Sequence, residues 1–432
     1  MSQLFCQGKF FRISAVAALL MLLAASAWSA SYKVLFNFNR TSNQPSSGLI
    51  FDAQGNAYGT TWMGGHNNAG SVYQLSPTTG YHLLYPFAIT GPNGENPQGN
   101  LMFDSSGNLY GTTVNGGPPN TACPGGACGV VFKISPSSNG GVWTETVLYD
   151  FCSQLNCSDG FNPESGVIAD SQGNLFGTAS GGKCCGLIFE LSPPSGGIGP
   201  WTETVLYNFC SLINCEDGEL PYGGLIFDSF GNLYGTTTMG GAGDAGTVFE
   251  LSPTGNGWTE TVLHNFETNG TGDGGKPYGG LALDASGNLY GTTIAGGNPH
   301  VCSFEGCGIV FELTPTAGAD WTETILHTFT GRDGANPYAG VVLDTAGDVY
   351  GTAYHGGASG SGCGTLYCGT VFKLTPSGNG SWNAGVFRFP NEEAGYNPLA
   401  PVALGSDGNV YGTTSSGGTG KGGGVVFGIA QP

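Results

Sequence analysis

GLIFDSFGNLYGTTTMGGAGDAGTVFELSPTGNGWTETVLHNF, residues 224–266, holds four short apolar segments separated by turn residues. Gly224–Asp228 (GLIFD) and Asn232–Thr237 (NLYGTT) flank an Asp-x-x-Gly-Asn turn, and Gly246–Leu251 (GTVFEL) is closed by Ser252-Pro253 ahead of Trp258–Phe266 (WTETVLHNF). All four are rich in β-branched and aromatic residues and bounded by Gly, Pro, Asn or Asp, as strands joined by tight turns are. Their weak alternation of apolar and polar residues fits strands covered on both faces. The unit therefore reads as one four-stranded antiparallel sheet, with strands A to D in chain order.

The motif FDAQGNAYGTT at Phe51–Thr61 returns around Tyr110, Phe176, Tyr234, Tyr290, Tyr350 and Tyr411, so the chain carries seven units at intervals of 52 to 66 residues. That period is too long for one solenoid rung and suits a propeller blade. The two ends predict closure. The last unit has candidates for strand A (Pro401–Leu404), B (Asn409–Thr414) and C (Gly424–Ile429), and then the chain stops. Its missing strand D is supplied by Ser31–Phe38 (SYKVLFNF), which matches the ending of Val205–Phe209. The expected fold is an all-β, seven-bladed β-propeller over residues 31–432, closed by the N-terminal strand pairing into the last blade and so left without an open sheet edge.

The units with YGTT, a following Gly-Gly, a strand C ending in Ser-Pro or Thr-Pro, and WTETVL resemble the GloVer tandem-repeat family of bacterial exported proteins. The resemblance spans the chain beyond its first thirty residues and implies an exported, propeller-like protein. It transfers no activity and no catalytic residues. Members commonly end in a surface-anchoring tail, whereas Gly424–Pro432 reads here as the final strand.

Composition sets the compartment and excludes some partners. Residues 1–30 read as a secretory signal peptide: Lys9 and Arg12 precede an apolar run from Ile13 to Leu23 and the small residues Ala24–Ala27, with cleavage expected after Ala27. The run is too short for a membrane span, so none is expected after cleavage. Loss of the two leader cations takes the formal charge from -19 to -21, which argues against a nucleic-acid partner. The expected product is a secreted, periplasmic or extracellular monomer. Twelve of thirteen cysteines lie beyond the leader. Five pairs have four residues between partners: Cys123/Cys128, Cys152/Cys157, Cys210/Cys215, Cys302/Cys307 and Cys363/Cys368; Cys184 and Cys185 are adjacent. With an export signal these spacings favour disulfides over zinc ligation, each worth roughly 2 kcal/mol by loop closure.

Asp-x-x-Gly-Asn recurs at Asp52, Asp104, Asp170, Asp228 and Asp284, as Asp344-x-x-Gly-Asp, and with Gly405 in place of the acid in the last unit. A calcium site and a type I turn joining strands A and B both fit this spacing, and its repetition in every unit favours the turn. The cysteines fall in the B–C and D–A loops, so function is assigned to that face. Asp-Gly at Asp159, Asp217, Asp273 and Asp333, each with Pro four residues on, suggests either a closed turn or an acidic channel mouth able to hold a divalent cation or a hydroxyl-rich ligand. Glu164, Glu216 and Glu219 lie nearby in sequence.

His66, His300 and His355 are further ligand-binding candidates in B–C loops, although their offsets from the local Gly-Gly differ and no shared metal site is expected. His264 and His327 replace Tyr149 and Tyr207 in strand D and read as packing residues. Trp62, placed in a B–C loop, is the aromatic candidate for stacking on a ligand. No catalytic residue and no cofactor is assigned, calcium being the one ion considered. The leading expectation is a non-catalytic binding propeller for an extracellular glycan or protein surface. The rival is a propeller enzyme, a polysaccharide or lactone lyase or a hydrolase, acting at the channel mouth; a structural envelope component is a third reading. An enzyme needs a His and a carboxylate converging on one point, whereas a binding module needs an apolar or aromatic patch.

Overall fold

The computed structural model of the chain describes residues 26–27 and 30–431, apart from 40–41, 66, 90–92, 121–122, 124–126, 138–141, 184, 198, 256, 268–271, 303–304, 319, 358–367, 379 and 420–421. Seven antiparallel sheets follow one another as seven blades of a β-propeller. In blade 4 the strands are A Ile226–Phe227, B Leu233–Thr237, C Thr247–Thr254 and D Gly257–Asn265, paired in that order. Blades 1 and 2 lengthen strand B to Ala57–Gly64 and Leu109–Gly116, and each gains a short extra partner, Ser42–Pro45 and Gly94–Pro97.

The ring closes as the sequence predicts. Ser31–Asn37 pairs antiparallel with Val425–Ala430, Tyr32 facing Ile429, Val34 facing Phe427 and Asn37 facing Val425. The register skips a residue between Val34 and Phe36. Strands C and D of blades 1 to 5 skip at the same place, as at Val248/Phe249 and Ile188/Phe189. The N-terminal segment thus has the bulge as well as the sequence of a D strand. Tyr32 also donates its hydroxyl proton to the Ala394 carbonyl, tying the segment to the preceding D–A loop. Ser26–Ala27, inside the stretch read as a leader, lies parallel to Trp382–Arg388.

Apolar burial is shared between blades, and one contact repeats at every seam. The Phe ending each strand D meets the central aromatic of strand C in the next blade: Phe87 with Phe132, Phe151 with Phe189, Phe209 with Phe249, Phe266 with Phe311, Phe329 with Phe372 and Phe389 with Phe427, all at 5.1 to 5.4 Å between ring centres. Phe38 makes the seventh, 5.1 Å from Tyr73 of blade 1. All seven Phe side chains are buried. The Gly of each Tyr-Gly-Thr makes room for the strand C ring; a β-carbon on Gly235 would stand 2.6 Å from the Phe249 ring, and one on Gly351 2.4 Å from Phe372.

The adjoining Thr stitches neighbouring blades nearer the axis. Thr112, Thr178, Thr236, Thr292 and Thr352 donate to the carbonyls of Ser165, Gly223, Gly279, Ala339 and Ala400, and Thr413 closes the circle onto Ser47. These hydroxyls are buried, so each lost acceptor costs about 1–3 kcal/mol.

The A–B turns explain the most regular motif. Asp52 accepts from the backbone amides of Gln54 and Asn56, from the Asn56 side chain and from the Tyr58 hydroxyl. The clamp recurs at Asp104, Asp228 and Asp284, and Asp407 takes over the bonds to Asn409 and Tyr411 where Gly405 replaces the acid. One carboxylate therefore links the repeated Asp, Asn and Tyr. A protein lacking residues 31–41 is expected to melt on the order of 10 °C or more below the intact chain in a calorimetric scan, since blade 7 loses strand D and seam 7–1 loses Phe38. Equal melting temperatures would refute closure by this strand.

Candidate functional site

Each D–A loop runs through Asp-Gly or its substitute to Pro, and the residue after that Pro reaches the central channel. The seven are Ser46, Gln98, Glu164, Tyr222, Tyr278, Tyr338 and Leu399, one from each blade. They rim a cavity of about 420 Å³ on the face that carries the stapled loops. Its floor is backbone at close quarters: a β-carbon on Gly279 would lie 2.2 Å from the Gly340 amide nitrogen, and one on Gly99 2.1 Å from that of Gly166.

Much of the rim is aromatic. Tyr222 stacks on Tyr278 at 4.7 Å, Tyr278 meets Tyr338 edge-on at 5.5 Å, and Tyr338 meets Tyr354 at 5.3 Å. His355 continues this arc, 4.5 Å from Tyr354, with its Nδ1 3.2 Å from Asn336 Oδ1; burial lowers its pKa and favours the neutral ring. Glu164 meets the arc at Tyr278. Its carboxylate accepts from Tyr278 at 2.8 Å and lies 3.5 Å from both Gln98 Nε2 and Ser180 Oγ. Burial raises its pKa, an effect these hydrogen bonds partly offset. The arrangement offers aromatic faces and edges beside one oriented carboxyl group, in a volume suited to a small ligand.

The four Asp-Gly carboxylates do not form an acidic mouth. Asp159 turns back into its own loop, accepting from Tyr149, Ser153 and the Gln154 amide, and Asp217 does the same with Tyr207, Ser211 and Leu212. Both residues are inaccessible to solvent. Asp273 accepts from the amides of Glu267 and Gly274, and Asp333 from Thr330 and His327. Each carboxylate closes a turn because the loop presents unpaired amides to it, and Glu164 is the acid that lines the channel cavity.

Of the other sequence candidates, His355 joins the arc and His300 sits in an exposed loop. Trp62 belongs to the extended strand B of blade 1 and not to a loop; it is half-buried and occupies the repeat position of Tyr354. His66 lies outside the described residues. Sequence reasoning missed the tyrosine arc because the Asp-Gly motif ends at its Pro, one residue short of the side chain that faces the axis.

Four of the five spaced cysteine pairs are joined as expected: Cys123 to Cys128, Cys152 to Cys157, Cys210 to Cys215 and Cys302 to Cys307. The fifth, Cys363/Cys368, is not seen as a pair, because Cys363 lies outside the described residues. Cys368 itself is fully buried just ahead of strand C of blade 6 and is disulfide-bonded. The adjacent pair is likewise half described. Cys184 lies outside the described residues, and half-buried Cys185 places its sulfur within 4.8 Å of those of Cys210 and Cys215.

A larger cavity of about 540 Å³ opens at seam 7–1 on the opposite face, between Leu35, Phe51, Leu75 and Tyr411. Blades 2 to 6 begin strand D with Trp143, Trp201, Trp258, Trp321 and Trp382, and blade 1 has Thr79 there, so this seam lacks an indole to fill it.

The sequence model of the Gloeobacter/Verrucomicrobia repeat matches residues 23–214, 185–368 and 302–432. The chain belongs to this repeat family. No curated protein sequence is similar to it. Among solved structures, virginiamycin B lyase from Staphylococcus aureus matches at 15% identity with a TM-score of 0.53, over 93% of this chain and 99% of the lyase. A protein assigned as a 6-phosphogluconolactonase from Bacteroides uniformis matches at 14% identity and a TM-score of 0.49, over 82% and 89% of the two chains. At such identity the likeness to the lyase is one of fold.

The seams between blades also place acids in pairs. Burial and the charge of Asp159 raise Glu203 to about 7, and burial and the charge of Asp217 raise Glu260 to about 7, against an ordinary value of 4.5. A carboxyl group raised in this way takes up protons on folding. Its contribution to stability is full below the unfolded value and is lost as pH rises through 7. The melting temperature is expected to fall between pH 5 and pH 8, and the double variant Glu203→Gln/Glu260→Gln to flatten that fall. A wild-type melting temperature that rises over this window would contradict the assignment.

Proposed function

We propose that this family member is an exported binding propeller whose channel mouth takes a hydroxyl-rich, ring-shaped ligand, the terminal sugar of a glycan being the class that fits. The carrying observation is that Tyr222, Tyr278 and Tyr338 line one cavity together with Glu164, whose carboxylate Tyr278 holds directly. Tyrosine rings supply stacking surface for the apolar face of a sugar, and Glu164, Gln98 and Ser46 supply hydrogen-bonding groups for its hydroxyls. The short-range disulfides suit an oxidising compartment, in keeping with export. No helix among the described residues is long and apolar enough to cross a membrane.

The enzyme reading would take Glu164 of the cavity as the acid and His355, at the end of the arc and outside the cavity lining, as the base. Their hydrogen bonds run to different partners, Tyr278 and Asn336, which supports binding over a catalytic dyad.

A glycan array followed by titration calorimetry on the best hit tests the proposal. Tyr278→Ala and Glu164→Gln are each expected to weaken binding at least about tenfold, while Asp344→Asn, on the opposite face, leaves it unchanged. Binding indifferent to both channel variants would move the site elsewhere, and turnover of the bound glycan would favour the enzyme.

A further inference from the structure

The seven seams of the ring provide an internal comparison. At seams 1–2 to 5–6, a strand D residue of one blade, the Asp-Gly position of the loop that follows it, and a strand D residue of the next blade come together. Seam 2–3 has Tyr149, Asp159 and Glu203; seam 3–4 has Tyr207, Asp217 and Glu260. In both, the Tyr hydroxyl donates directly to the Asp at 2.8 Å. Seam 5–6 has His327 and Asp333 in direct contact at 3.1 Å, and Ala384 stands where the acid of the next blade would be. Seam 1–2 has Asn93 at the Asp position, and the remaining two have neither acid.

Seam 4–5 alone combines an imidazole with both carboxylates: His264, Asp273 and Glu323. Here the imidazole stands off from both acids, which contact each other. His264 Nε2 lies 3.6 Å from Asp273 Oδ2 and 3.9 Å from Glu323 Oε1, and all three ligand atoms lie within 4.8 Å of one another. His264 Nε2 and Glu323 Oε1 are both shielded from solvent and make no hydrogen bond. Glu203 Oε1 and Glu260 Oε1 of the neighbouring seams are shielded and unbonded too. What replacing Tyr by His changes is therefore the loss of a direct donor to the Asp and the addition of a shielded imidazole nitrogen, His264 Nε2, facing two acids, an arrangement costly without something between them.

We propose that His264, Asp273 and Glu323 form a binding site for a divalent transition ion of the zinc type. Ligands at about 2.0–2.2 Å from a tetrahedral ion stand roughly 3.3–3.5 Å apart, so the observed separations need only a modest closing. One neutral imidazole and two carboxylates match the charge and donor preference of Zn²⁺, and a water completes the fourth position. The side chains are 15 to 19% exposed, which leaves the ion a route from solvent. Because the ligands come from strand D of blade 4, the loop after it, and strand D of blade 5, the ion would clasp two blades together.

The test is calorimetric titration of the purified, chelator-stripped protein with Zn²⁺, with the absorption spectrum of Co²⁺ as a second readout. Wild type is expected to bind one Zn²⁺ per chain and to give a tetrahedral Co²⁺ spectrum. His264→Tyr installs the residue of seams 2–3 and 3–4, and Glu323→Ala that of seam 5–6, so both are compatible with the repeat. Each should weaken Zn²⁺ binding at least about tenfold and abolish the Co²⁺ bands, while His300→Ala binds as wild type does. Absence of Zn²⁺ binding by wild type, or binding unaltered in the two seam variants, would overturn the site. Should one variant fail to fold, the other and the wild-type Co²⁺ spectrum still decide.

Discussion

The ring depends on one contact, the meeting of a strand D Phe with the strand C aromatic of the following blade. A single twisted sheet of four short strands buries too little to stand alone; here each blade lends its neighbour a ring, and the neighbour's Tyr-Gly-Thr glycine leaves space for the partner. Phe38 makes that contact from the far end of the chain, so the seventh seam is held by the same kind of ring contact as the other six. The threonine stitches and the carboxylate-clamped turns follow from it, because they need strands already held at one pitch about the axis.

That economy is why so much of the architecture was legible in the sequence. Asp-x-x-Gly-Asn, Tyr-Gly-Thr and the terminal Phe each serve a local geometric need in blade after blade, with few departures, and repetition turned weak signals into a count. The closing strand was readable because Ser31–Phe38 keeps the pattern of a D strand down to the place of its bulge. Phe176 shows that the clamp tolerates a lost hydroxyl, since Asp170 still holds Asn174 and Gln172.

The site was much less legible. Asp159, Asp217, Asp273 and Asp333 attracted attention as acids, yet a carboxylate surrounded by loop amides is consumed by the turn that holds it. The side chains that reach the axis vary from blade to blade, Ser46, Gln98, Glu164 and three tyrosines among them, and variation within a repeat looks like noise when read along the chain. It acquires meaning only when the seven positions are laid round one circle. His264 illustrates the same point: beside Tyr149 and Tyr207 it is a packing substitution, and only Glu323 from the next blade changes what it can do.

The closing strand also imposes an order of events. Its residues are the first of the ring to be made and its partners, Val425–Ala430, are the last. Through the whole of synthesis the earliest strand has no mate, and six blades stand as an open horseshoe with two bare edges. The four disulfides whose two ends are described do nothing to shorten that wait, because each joins cysteines only five residues apart and none spans the gap. The interval before the circle shuts is thus the protein's period of greatest exposure to aggregation, and its length is set by how fast the remainder of the chain arrives.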